Sequence, residues 1–227
     1  MPGVFLTRPE FIELTEREPY FRRMTRVDLC ARSIDVAHAD WESYLAWYQA
    51  HTLEWEWWER IWMLAIAGEA ERRMRSRGLA HMVPKNSRGV SWRFAKVARR
   101  VEMGFPHTFE DVIVWSEDTL SKPFWEQVEL AVHEAVHIWQ RRHPDETRAW
   151  HKKMGYSVVN IAPSALRRNN PDADEYIWQK ILPDGDISGQ SLGCCYRSHR
   201  PSDLTDVEGV DHPNELQAYL FASRAMS

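Results

Sequence analysis

The sequence predicts an α+β fold, mostly helical with a small sheet, on three observations. Apolar and aromatic residues recur at helical spacing through most of the first eighty positions. One β-branched and aromatic run, Asp111-Val-Ile-Val-Trp115, is bounded by polar residues and reads as a strand. The stretch from Ser121 to Arg142 then reads as one long helix with a broad apolar surface. At 227 residues the chain is long enough to bury a core. It is expected to form one compact domain, a helical N-terminal region (1–104) packed on a second region (105–227) that carries the strand and the long helix.

In chain order, Arg8 to Gly78 reads as two helices. The second is long, starting near Asp40, with Trp41, Leu45, Tyr48, Trp55, Trp58, Trp62 and Ile66 at near-helical spacing and Gly78 as its stop. Six of the 12 tryptophans fall between Trp41 and Trp62. An apolar stripe of this kind is expected to face the core; the competing reading is a partner or ligand surface. His81 to Gly104 is a basic connection punctuated by Gly and Pro, with a short helix expected from Ser91. For the helix over 121–142, Ser121 can cap, Pro123 is tolerated in the first turn and Pro144 prevents continuation. Asn169 to His212 is rich in turn-forming residues, with periodicity only over Tyr176 to Leu182, and a loop that long points to hidden short strands. Asp211 and Pro213 then mark the start of a last helix, on which Glu215, Ala218, Tyr219 and Ala222 share a face.

Composition narrows the function classes. The chain is 44% hydrophobic and 27% charged, which fits a folded core and argues against disorder. A formal charge of −4 and the lack of a long basic run argue against a nucleic-acid partner. No run approaches the roughly 20 apolar residues of a membrane span, and Met1 to Glu10 lacks a signal-peptide layout. A cytoplasmic protein with no membrane partner is expected. Cys30, Cys194 and Cys195 fit no disulfide framework and are expected to be reduced thiols.

The long helix contains His133-Glu134-Ala135-Val136-His137. Residues four apart lie one turn apart on a helix face, so two imidazoles can meet on one ion. Glu134 stands beside the first of them, where a carboxylate can take a proton from water that zinc has made acidic. Burying two histidines and a glutamate among Val128, Ala131, Val132, Ala135 and Ile138 costs several kcal/mol without partners, which a bound cation would offset. The competing reading is a pair of histidines hydrogen-bonded in a core, with Glu134 an ordinary helix charge.

A catalytic zinc site normally takes three protein ligands, and two residues compete for the third place. His143 has the histidine spacing of HExxHxxGxxH, but Gln140 stands where that pattern needs a glycine to turn the chain. Glu215 lies on the last helix, whose small residues would let it approach another closely; its alternative role is a first-turn carboxylate complementing the helix dipole. Glu215 is the preferred ligand.

HExxH followed by Asn214-Glu215-Leu216-Gln217-Ala218 resembles the gluzincin division of the zincin metallopeptidases. The resemblance implies a zincin-like fold, a Zn2+ cofactor, a peptide or protein substrate, His133, His137 and Glu215 as metal ligands, and Glu134 as general base. Asp111 to Trp115 resembles the edge strand along which such enzymes lay an extended substrate. The sequence departs from the pattern in the long step from His137 to Glu215 and in Tyr219, where an acidic residue often stands. Tyr196, Arg197, His199, Tyr219 and His107 are candidate donors to a transition-state oxyanion. The pairs Asp172/Asp174 and Asp184/Asp186 lack the rest of a calcium loop and read as solvated turns.

Overall fold

The computed structural model describes residues 3–32, 40–85, 92–161, 168–170, 172–181, 187–192, 210 and 212–227, with the backbone alone over 187–191. It is α+β, with nine helices among the described residues, a five-stranded mixed sheet and a three-stranded antiparallel one. Among the described residues no helix is long and apolar enough to cross a membrane. The chain divides into two compact units. One comprises Met1–Glu18, Leu45–Arg141 and Ala218–Ser227; the other comprises Pro19–Tyr44 and Arg142–Gln217.

The elements are β1 (Val4–Phe5), α1 (Arg8–Arg17), α2 (Pro19–Arg22), α3 (Arg26–Arg32), α4 (Trp41–Ala50), β2 (Thr52–Leu53), α5 (Trp57–Ser76), β3 (Arg93–Val97), β4 (His107–Phe109), β5 (Val112–Ser116), α6 (Glu117–Leu120), α7 (Phe124–Arg142), α8 (Pro144–Lys153), β6 (Tyr156–Ile161), β7 (Tyr176–Ile181), β8 (Ile187–Leu192) and α9 (Pro213–Met226).

In the first unit β3 is flanked on one edge by β1, parallel, and β2, antiparallel, each on a different half of the strand. On the other edge β3 pairs with β5 in parallel, and β4 closes the sheet antiparallel to β5. The core gathers Met63, Ile66 and Met74 of α5, Phe94, Ile113 and Trp115 of the sheet, Val128, Val132 and Val136 of α7, and Ala218, Ala222 and Ala225 of α9. A buried ion pair ties α5 to β3: the Lys96 ammonium donates to Glu59 at 2.7 and 2.9 Å. Glu59 also accepts the Glu56 backbone N–H, the capping box that starts α5.

Three local expectations change. The long second helix breaks at His51 to Glu56, where β2 joins the sheet and the Trp55 ring packs on Phe5 and Phe94. Trp41, Tyr48, Trp55 and Trp62 step by seven, and that rhythm survives a break two turns long, so periodicity alone misses it. The helix expected from Ser91 gives way to β3, whose strand character Arg93 and Lys96 disguise; Ser91 itself lies outside the described residues. The motif helix starts at Phe124, because Ser121 instead closes α6, and the Pro123 carbonyl accepts the first bond of α7, from Gln127.

In the second unit β6, β7 and β8 form the antiparallel sheet, and β7 is the periodic run at Tyr176. Buried Asp28 accepts from Thr25, Arg32 and the Asn169 backbone N–H, while Arg32 donates to the Asn169 carbonyl. These bonds anchor the chain just before Asn170. The Asp184/Asp186 pair and Cys194 and Cys195 lie outside the described residues.

Candidate metal centre

On α7 the apolar positions bury one broad surface, and His133, Glu134 and His137 are buried with it. The His133 and His137 Nε2 atoms stand 2.9 Å apart. The His137 Nδ1–H donates to the Gln140 side-chain oxygen at 2.8 Å. An amide oxygen only accepts, so the proton sits on Nδ1 and His137 presents the Nε2 lone pair. Two imidazole nitrogens this close repel unless a proton or a cation lies between them. Their separation is within a few tenths of an ångström of what two imidazoles adopt on one tetrahedral ion. Gln140 therefore explains its own departure from glycine: its side chain fixes the tautomer and ring orientation of His137.

The third group comes from α9. Its small residues Ala218, Ala222 and Ala225 are fully buried in the core that includes Ala131 and Ala135 of α7, as the sequence leads one to expect. Tyr219, half exposed, lays its ring edge against His133 at 4.6 Å between centroids. One turn earlier, Glu215 joins His133 and His137 in the only such group among the described residues, their ligand-capable atoms lying within 4.8 Å of one another. Two imidazoles and a carboxylate are a donor set that can hold a divalent metal ion.

The first turn of α9 is held by polar bonds. His212 acts as its N-cap: its carbonyl accepts from Leu216 and its Nδ1 accepts the Asn214 backbone N–H at 3.1 Å. Nδ1 is thus an acceptor, which leaves Nε2–H to donate to Asp174 at 2.8 Å. Burial pushes the Asp174 carboxyl up, but the bonds from His212, the Tyr176 backbone and the Trp178 indole outweigh it and hold it below the usual range. Asn214 donates to the Asp172 carbonyl, and the Asn170 amide donates to Glu215 Oε1 at 3.3 Å.

No family model, curated protein or solved structure matches this chain.

The other candidates fall differently. His143 is not in the triad. α7 ends at Arg142 and His143 becomes the N-cap of α8, a helix the sequence reading passed over. His107 is buried on β4 and bonded to the Tyr48 hydroxyl at 2.7 Å, which makes it a packing residue. Tyr196, Arg197 and His199 lie outside the described residues.

The expected edge strand needs a larger correction. β5 is central, paired on both sides and buried throughout, because all five of its residues pack in the core. One edge is β4, and Arg141 from the end of α7 bonds to carbonyls there. The Arg141 guanidinium donates to the Glu110 carbonyl at 2.6 Å and to the Thr108 carbonyl at 3.4 Å.

Sequence reasoning missed Gln140, Asn170, Asp174 and His212 as supports. Only Gln140 carried a signal, its i+3 spacing from His137. Near His212, a fully buried His151 packs against Trp178 and His212, and neither of its ring nitrogens has a hydrogen-bond partner among the described residues. Burial first, then the neighbouring His212, pushes its pKa down to about 4.

Proposed function

We propose that this protein is a zinc-dependent hydrolase that cleaves amide bonds, with His133, His137 and Glu215 as ligands and Glu134 as general base. The observation that carries the reading is the convergence of the two histidine Nε2 atoms and the Glu215 carboxylate from two helices. Zinc held there supplies a water that ionises near neutral pH and a Lewis acid for the substrate carbonyl. Glu134 takes the proton from the attacking water and passes it to the leaving nitrogen as the C–N bond breaks. Gln140 keeps the Nε2 lone pair of His137 directed at the metal, and Asn170 orients the Glu215 carboxylate. A peptide or protein substrate is proposed on the gluzincin resemblance of the two motif segments. A small non-peptide amide is the second reading. It is favoured by the Arg141 bonds at the β4 edge, which compete with a substrate added as another strand.

Glu134→Gln tests the base role. It should lower kcat by about 10²–10⁴-fold while bound zinc is unchanged, and full activity in that variant would remove Glu134 from the chemistry. Assaying the wild type against a mixed peptide library and against small aryl amides separates the two substrate readings.

A further inference from the structure

The first two turns of α5 leave large apolar side chains in water. Trp57 is 72% exposed, Trp58 52% and Ile61 60%, and Trp62 and Leu64 join them. The face continues onto α7, since the Trp62 ring meets Phe124, Phe124 meets Trp125, and Trp125 is itself exposed. Of the apolar stripe expected to face the core, Tyr48, Trp55 and Ile66 are buried, whereas Trp58 and Trp62 are exposed. The residues that α5 does bury, among them Glu59, Met63, Ile66, Ala67 and Ala70, lie on its other side.

We propose that this face is a homodimer interface, and that its occupant is the same face of a second copy of this chain, packed antiparallel about a twofold axis near Ile61 and Trp62.

Three features carry the proposal. The first is area. With roughly 150–250 Å² for a whole aromatic side chain, the six exposed residues leave about 500–700 Å² of apolar surface in water. That is at or above the largest patch of an ordinary monomer, about 300–600 Å². It also supplies the apolar share, somewhat over half, of the roughly 800 Å² each partner buries in a standard interface. The second is shape. Along the exposed side of α5 itself, bulk falls from Trp57 and Trp58 through Ile61 to Leu64 and Ala65, while Trp125 of α7 stands beside Arg73. Antiparallel pairing sets the bulky end of one copy on the small end of the other, the self-complementarity a twofold interface requires. The third is charge. Glu54 and Glu56 outnumber Arg60 at the bulky end, and at the other Arg72, Arg73, Arg75 and Arg77 outnumber Glu69 and Glu71, with which three of them pair. The twofold brings the acidic flank of each copy to the basic flank of its partner, whereas a parallel pairing would set like charges together.

Sedimentation equilibrium of the full chain over a wide concentration range tests this. The wild type should approach twice the 26.8 kDa chain mass as concentration rises. Ile61→Arg should raise the dimer dissociation constant at least about 30-fold, as loss of a central hot spot does. Ala65→Trp should also weaken the dimer, by filling the space the partner's tryptophan needs. Both positions are exposed, and unchanged circular dichroism confirms that each variant folds. A wild type that stays at 26.8 kDa throughout overturns the dimer. An Ile61→Arg variant that associates like the wild type overturns this face as the contact, and an Ala65→Trp variant that does so overturns the antiparallel pairing.

Discussion

The two helices that bring the candidate ligands together are held by opposite means. α7 is held by burial: twelve of its nineteen residues are inside, and both histidines come with them. The first turn of α9 is held by polar bonds from an irregular segment, with Asn170 on Glu215, Asp172 on Asn214 and Asp174 on the capping His212. Apolar packing sets a side chain's place with many weak contacts, whereas a short polar network depends on a few bonds whose partners must all be satisfied. The histidine arm therefore rests on many apolar contacts, and the first turn that carries the carboxylate rests on a few polar bonds.

That contrast can be broken by substitution. Removing a ligand has the largest effect: His137→Ala should weaken zinc binding by more than about 100-fold, beyond the range of supporting residues. Competition with a chelator measures it, and binding like the wild type would exclude His137 from the site.

Acid should loosen the polar side through His151. Its folded pKa of about 4 lies below its ordinary 6.5, so as pH falls the unfolded chain takes the proton first. The stability this group contributes is complete above pH 6.5, falls between 6.5 and 4, and is lost below that. The loss is about 3 kcal/mol, at 1.36 kcal/mol per pKa unit. Urea unfolding at pH 7 and pH 4.5 should show that slope in the wild type and a smaller one in His151→Phe. Equal slopes would place the acid sensitivity elsewhere. Asp174, held below its ordinary range, adds its own loss only at lower pH.

The smallest effects sharpen the comparison. Gln140→Ala removes a short, buried bond to a ligand, and Asn170→Ala removes a longer, half-buried one. Supporting residues of this kind change metal affinity about 10–100-fold; Gln140 should fall near the upper end and Asn170 near the lower. Gln140→Ala should also cost stability, because it leaves a buried imidazole N–H unsatisfied. Thermal melts with and without zinc separate the two effects, and a reversed order would mean that the bond on the polar arm matters more to metal binding.

The same contrast explains what could be read in advance. His133, Glu134 and His137 stood out because burial writes a 3.6-residue rhythm into the sequence. Glu215 was legible from Asp211 and Pro213 at a helix start and from the alanines that let α9 enter the core. Asn170, Asp174 and His212 left no trace, because their bonds join positions up to 45 residues apart within turn-rich sequence. β5 was found as a strand but misplaced as an edge, since a five-residue apolar run does not reveal how many neighbours it has. The α5 tryptophans were assigned to the core because helical spacing does not say which face is covered.

X-ray absorption at the zinc edge of the zinc-loaded wild type and of Glu215→Ala tests the central claim most directly. The wild type should bind one zinc per chain through two imidazoles and a carboxylate, and the variant should lose the carboxylate and bind more weakly. Zinc that binds below stoichiometry, is held by sulfur, or keeps the same coordination in Glu215→Ala would contradict it.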